Sequence, residues 1–237
     1  MELQIFDNKE AVAKAFAQKL QEIINNNSRV NIALSGGSTP KAIFDYMSVE
    51  YKDSIDWNNV HFFWGDERCV PADHDESNYK MTHDHLFSKI GFPIDNVHRI
   101  VGENTPDNEA VRYAQEIETL VETKSDQVPS FDLIILGMGD DGHTASIFPH
   151  EINLWDDESL CTVANHPVSG QKRVSFTGKL INAAKEVAFL VTGDNKAEKV
   201  RAIVNEEGDF QQYPASLVKP VSDNLLWFLD KPAAALL

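Results

Sequence analysis

Apolar residues recur along this chain in two rhythms, one helical and one extended. From Lys9 to Ile24, Val12, Phe16, Leu20, Ile23 and Ile24 fall on one side of a helix. Val30–Leu34 is a short unbroken apolar run, the mark of a buried strand, and it ends in Ser35-Gly36-Gly37-Ser38-Thr39-Pro40. Proline is favoured in the first turn of a helix, so Pro40 predicts one running to about Met47. Val60–Trp64 is a second apolar run and ends in Gly65-Asp66-Glu67-Arg68. Helical spacing returns over Ser77–Ile90. It returns again from Thr105-Pro106 to about Val121, where Val111, Ala114, Ile117, Leu120 and Val121 are expected to face inward. Further strands are predicted at Phe131–Leu136, Arg173–Thr177, Val187–Val191 and Leu225–Leu229. A helix is predicted over about Asn195–Asn205, and the tail Lys231–Leu237 is expected to be peripheral.

Strands that alternate with helices predict an α/β chain. The expectation is a single Rossmann-like domain over residues 1–237, a mainly parallel sheet flanked by helices on both faces. Ligands of such sheets bind beyond the carboxyl ends of the strands. Four polar turns follow predicted strands, at 35–40, 65–68, 137–143 and 192–196, and the topology brings them to one edge.

The turn after Phe131–Leu136 is the most unusual. It reads Gly137-Met138-Gly139-Asp140-Asp141-Gly142-His143-Thr144-Ala145-Ser146. Glycine allows close backbone approach, and an imidazole among acidic neighbours is suited to general-base work near neutral pH. The same glycines satisfy G-x-G-x-x-G, a weak signal for dinucleotide binding. The acidic residues Asp156 and Asp157 lie at roughly the right distance, but no apolar strand leads into them. The Ser35–Pro40 turn offers free N–H groups, two hydroxyls and a helix N-terminus, which suit a phosphate; Thr39 as a simple N-cap is the competing reading. Arg68 can grip a phosphate through two parallel hydrogen bonds, or form a surface ion pair with its acidic neighbours. Lys196, near a helix start, reads on its own as an ordinary exposed lysine, although a bound anion would explain a cation there; Arg173, at a strand start, is similarly ambiguous.

Composition narrows the classes. A net charge of −16 makes the chain a poor general binder of nucleic acid or of anionic membranes. An anionic ligand would need local cations to overcome that field. Cys69 and Cys161 make no disulfide framework and no metal-spaced pair, which fits a reducing cytoplasmic setting. No apolar run approaches a membrane span. The start of the chain does not read as a signal peptide. His74, His83 and His85 match no ligand spacing and are expected on a solvent-facing surface. Trp57, Trp64, Trp155 and Trp227 read as core or rim packing.

Taken together, Ser35–Pro40, then Trp64–Arg68 with Val70-Pro71 and Ser77-Asn78-Tyr79, then Leu136–Ser146, resemble the 6-phosphogluconolactonase family. Arg173–Thr177 and Thr192-Gly193-Asp194-Asn195-Lys196 fit the same family in the same order, so the likeness runs from about Val30 to Leu229. It implies hydrolysis of 6-phospho-D-glucono-1,5-lactone to 6-phosphogluconate, the second step of the oxidative pentose phosphate pathway, with no cofactor and no metal. His143 is implied as the base, taking a proton from water and returning it to the departing ring oxygen. For Asp141 two roles stay open, orienting the imidazole or shaping the loop. Gly36, Gly37, Ser38 and Thr39 with Arg68, Arg173 and Lys196 are implied to hold the phosphate. Asp66 either meets sugar hydroxyls or orients Arg68. The implied partner is a phosphorylated sugar lactone, with no nucleic acid and no membrane, on a monomer or small homo-oligomer.

Glucosamine-6-phosphate deaminases share the fold, and in them Asp-Gly-His is followed by Asn-Glu-Pro. Their glutamate joins a proton relay, whereas the matching position here is Phe148, which carries no proton. They also favour Asp-Glu-Tyr where this chain has Asp66-Glu67-Arg68. The remaining alternatives are a non-catalytic sugar-phosphate sensor and an NAD-dependent dehydrogenase. An acidic chain with no visible DNA-binding segment disfavours the sensor.

Overall fold

The computed structural model describes residues 1–123 and 128–237 of the chain. Six strands form one parallel sheet: β1 (Glu2–Phe6), β2 (Val30–Leu34), β3 (Val60–Trp64), β5 (Leu133–Leu136), β8 (Val187–Val191) and β9 (Leu225–Asp230). Their spatial order is β1-β9-β8-β5-β2-β3, and every pairing is parallel. All residues of β2, β5 and β8 are buried. That is the signature of strands covered on both faces, and it explains why each reads as an unbroken apolar run.

The helices are α1 (Lys9–Asn25), α2 (Ser38–Glu50), α3 (Asn78–Thr82), α4 (Ser88–Ile90), α5 (Pro106–Leu120), α6 (Gly178–Asn182) and α7 (Ala197–Val204). The α1 helix packs on α2 and β9. Its Phe16 meets Phe228 edge-on at 5.0 Å, which ties the apolar stripe to the sheet. Between α3 and α4 the helix widens into a π turn at His83–Phe87, so the predicted Ser77–Ile90 helix is three pieces.

A second sheet was not anticipated. β4 (Asp66–Arg68), β6 (Cys161–Asn165) and β7 (Lys172–Phe176) pair antiparallel in the order β4-β7-β6. Asp66–Arg68 is therefore a short strand and not a turn. The α5 helix packs on β6 and β7. Its Val111 points outward and is 59 % exposed, contrary to expectation, while Glu109, Ala110, Tyr113 and Ile117 are buried. The Tyr113 hydroxyl reaches the β3 backbone, accepting from Trp64 N at 2.8 Å and donating to Trp64 O at 3.1 Å. The hydroxyl rotates the buried face of the helix away from the one the aliphatic residues alone suggest.

The tail is less peripheral than expected, since Ala233 is fully buried and its N–H donates to Asp230 Oδ1. No helix among the described residues is long and apolar enough to cross a membrane.

Candidate active site

A cavity of about 190 Å³ opens at the carboxyl ends of the parallel strands. The β2 corner supplies Ser35, Gly36 and Gly37, and the β3 corner supplies Asp66 and Arg68. The β5 corner supplies Gly137, Met138, Gly139, His143 and Ala145; Asn78 and Arg173 complete the lining. Three of the four predicted corners therefore meet.

His143 is held by its own loop. Its Nδ1 lies 2.6 Å from Asp141 Oδ1, and the same oxygen accepts from His143 N at 3.1 Å. Burial raises the Asp141 carboxyl, but the hydrogen bond and charge of His143 outweigh it and hold the group down at about 2. Asp141 is thus an ionised acceptor, so Nδ1 carries the proton and the lone pair sits on Nε2. Asp141 therefore faces the ring and the loop backbone at once, a geometry compatible with either of the two roles. A side chain on Gly139 would collide with the His143 ring and the Asp141 carboxylate, so only glycine lets the loop fold this tightly. Gly142 sits at φ 84°, and its missing side chain makes room for Tyr213. Ala145 takes φ 47°, uncommon for a residue with a side chain. Phe148 is buried, and its ring centre lies 4.6 Å from that of His143.

The second cluster is cationic. In the β4–β7 register Arg68 stands directly opposite Arg173. Like charges in that position repel. Both Nε atoms are buried, with no hydrogen-bond partner among the described residues. Burial, ahead of the charge of Arg68, lowers the pKa of Arg173, while Asp66 opposes both. Arg68 is braced by Glu76 O at 2.5 Å, and Arg173 lies over the Phe148 ring at 5.6 Å. Asp66 is buried and accepts from Ser146 Oγ at 2.7 Å; Ser146 Oγ also lies 3.5 Å from Arg173 Nη1. Asp66 therefore belongs to a network reaching Arg173, and no direct bond to Arg68 is formed.

Gly37 caps α2 at φ 106° with no side-chain hydrogen bond, so the helix N-terminus is left open beside the cavity. Thr39 is not the N-cap. It lies inside α2, and its hydroxyl bonds that of Thr192 at 2.9 Å. Ser38 is the exposed first residue of α2 and does not line the cavity. Lys196 does not line it either: its ammonium pairs with Asp140, which Asn195 also holds, at 2.9 Å. The fourth corner thus braces the His143 loop through Asp140.

Two features escaped sequence reasoning. Glu67 is buried and accepts from Arg68 N, Ser77 Oγ, Asn78 N and Tyr79 N, pinning the 68–77 loop to the start of α3. Burial raises its pKa, against those bonds. Asn78 reaches the cavity because Gly36 has no side chain to displace it, and its Nδ2 donates to Asp66 O at 2.9 Å. The Asp-Glu-Arg spacing was the available signal for Glu67, since alternation in a strand turns the middle residue away from its neighbours.

The dinucleotide reading fails on structure. After Gly142 the chain turns and then forms a 3-10 segment at Pro149–Asp156, without the α-helix that a pyrophosphate would need. Asp157 bonds Ser159 instead. His74, His83 and His85 are separate, next to Glu76, Asp84 and Asp45 respectively.

The model of the glucosamine-6-phosphate isomerases/6-phosphogluconolactonase family matches residues 7–227. The chain belongs to this family. A 6-phosphogluconolactonase of Haemophilus influenzae is 46 % identical over 212 residues, covering 89 % of each chain. One from Aggregatibacter actinomycetemcomitans is 43 % identical over 233 residues, covering 98 % of each. The solved 6-phosphogluconolactonase of Trypanosoma brucei superposes with a TM-score of 0.88 at 29 % identity, over 99 % of this chain and 97 % of that one. The β4-β7-β6 sheet and the cavity beside it therefore belong to a fold shared with lactonases.

Proposed function

We propose that this chain hydrolyses 6-phospho-D-glucono-1,5-lactone to 6-phosphogluconate, the second step of the oxidative pentose phosphate pathway. The observation that carries the reading is one cavity holding both a carboxylate-oriented imidazole and two facing, partly unpartnered guanidinium groups. The phosphate docks between Arg68 and Arg173, relieving their repulsion, with the open N-terminus of α2 adding backbone donors. This brings the lactone carbonyl towards His143. Nε2 takes a proton from water as the oxygen attacks the carbonyl carbon. The tetrahedral intermediate then collapses, the ring C–O bond breaks, and the imidazolium returns the proton to the departing ring oxygen. Asp141 stabilises the imidazolium formed between the two steps.

Phe148 supports lactone hydrolysis over deamination, because an apolar ring packed on His143 offers no carrier for a second proton. Free Cys69 and Cys161 support a reducing, cytoplasmic setting. The test is a coupled assay that generates the lactone freshly and follows 6-phosphogluconate, with spontaneous hydrolysis subtracted. Acceleration above that background, without ammonia release from glucosamine 6-phosphate, is the expected result. A rate equal to the background would overturn the reading.

A further inference from the structure

The two ends of one loop meet on a single carboxylate oxygen. Arg68 and Asn78, at either end of the 68–78 loop, both line the cavity at the carboxyl edge of the sheet. Glu67 stands between Asp66 and Arg68 on β4, does not line that cavity, and is 3 % exposed. Its Oε1 accepts from Arg68 N and from Asn78 N, both at 2.8 Å. Its Oε2 accepts from Ser77 Oγ at 3.0 Å and from Tyr79 N at 2.9 Å. Three of these four donors are backbone N–H groups, which cannot accept. The geometry therefore calls for an ionised carboxylate, each oxygen accepting twice. A buried charge is tolerated where its hydrogen bonding is complete in this way.

The same bonds govern the Arg68 side chain. Among the described residues its one hydrogen-bond acceptor is Glu76 O, directly before Ser77 in the chain, while its Nε is buried without a partner. The position of that acceptor follows from the bonds that hold Ser77 and Asn78. Asn78 is placed by them too: its side chain fills the space left by the missing side chain of Gly36 and donates to Asp66 O at 2.9 Å. Other ties along the loop, Ala72 N to Glu103 Oε1 at 3.1 Å and Gln171 Nε2 to Glu76 Oε2 at 3.0 Å, lie at the exposed surface.

We infer that Glu67 is a positioning residue of the arginine pair: it touches no substrate, and it holds the Arg68 guanidinium at the separation from Arg173 that a phosphate bridges. The inference rests on the proposed phosphate site. A carboxylate that only stabilised the fold would alter the melting temperature and leave anion affinity alone.

The test is Glu67→Gln, which keeps the shape and sets an amide donor against backbone donors. Affinity for inorganic phosphate, read by calorimetry, is measured beside kcat and KM for freshly generated lactone. The expected result is a loss of phosphate affinity of roughly tenfold or more and a matching rise in KM, the scale of lost hydrogen bonds to a charged group. The kcat should stay within about threefold of wild type, as when only binding is weakened. In an Arg68→Ala background the same substitution should add less than about threefold, because its route runs through Arg68. Ser77→Ala removes one donor, keeps the charge and the three N–H bonds, and should weaken phosphate binding roughly 3- to 10-fold. Circular dichroism establishes which variants fold. Unchanged phosphate affinity in folded Glu67→Gln, or in Ser77→Ala where Glu67→Gln does not fold, would overturn the clamp. So would an undiminished effect in the Arg68→Ala background. A wild type with no phosphate affinity would overturn the clamp and the phosphate site together. Phosphate binding that weakens as expected, beside lactone hydrolysis at the spontaneous rate in wild type, would refute the lactonase reading and keep the clamp.

Discussion

Of the six histidines that lie beside carboxylates among the described residues, His98 and His143 make the most instructive contrast. His98 Nδ1 lies 3.2 Å from Glu116, and its Nε2 lies 3.0 Å from His61 Nδ1. Both nitrogens are occupied, the ring stacks on Phe63 at 4.5 Å, and its side chain is 9 % exposed. His143 engages Asp141 through Nδ1, its Nε2 has no partner among the described residues, and its side chain is 27 % exposed at a cavity wall. The difference teaches that a histidine–carboxylate pair becomes a base only where the second nitrogen is left open to a ligand. Burial that completes the hydrogen bonding of an imidazole makes it structural.

The sharpest break of this comparison is His143→Ala. It should lower kcat by about 10²–10⁴, the scale of a lost general base, with little change in KM. An unchanged corrected rate in the coupled assay would refute the assignment. Next in size are Arg68→Ala and Arg173→Ala. Each should raise KM roughly 10- to 100-fold, since hydrogen bonds to charged groups contribute about 1.5–3 kcal/mol. Lys196→Ala, whose ammonium faces Asp140, should move KM far less. Steady-state kinetics on the three variants separates the arginine pair from the bracing lysine.

Asp141→Asn should follow, with a loss of roughly tenfold or more in kcat, because an amide can hold the ring in the wrong tautomer. Equal kcat in wild type and variant would show that Asp141 only shapes the loop. The smallest effects belong to the other histidine pair. His61→Phe should leave turnover unchanged, lower stability somewhat by unpairing His98 Nε2, and flatten the pH dependence of stability. Burial, then the charges of Arg29 and His98, push His61 from 6.5 down to about 4. Between those values the unfolded chain binds the proton and the folded chain does not. Stability from this group is therefore present above about 6.5 and lost as pH falls towards 4. Denaturant midpoints should fall more steeply over that window in wild type than in His61→Phe.

The parallel sheet was legible because its central strands are buried on both faces and so are uniformly apolar. The edge strand β1 was missed: Ile5 is half exposed, and Glu2-Leu3-Gln4-Ile5 shows only a faint alternation. β4 and β6 were missed for a related reason. β4 has only three residues, and Asp66-Glu67-Arg68 is polar because its side chains serve the site and the loop anchor; β6 has five, but Thr162 and Asn165 interrupt its apolar pattern. Pro40 marked α2 correctly, but the helix begins two residues earlier, at Ser38, where the turn residues themselves take helical geometry.

By itself the order of residues determined the α/β alternation, the glycine-rich corners at the strand ends, the His143–Asp141 proximity and the family. Those are local properties, readable from periodicity, spacing and backbone freedom. Only the tertiary structure decided that Arg68 faces Arg173 across a strand pair and that Lys196 turns to Asp140. Each depends on register and packing between segments distant in the chain, and side-chain type alone carries no information about which distant partner will arrive.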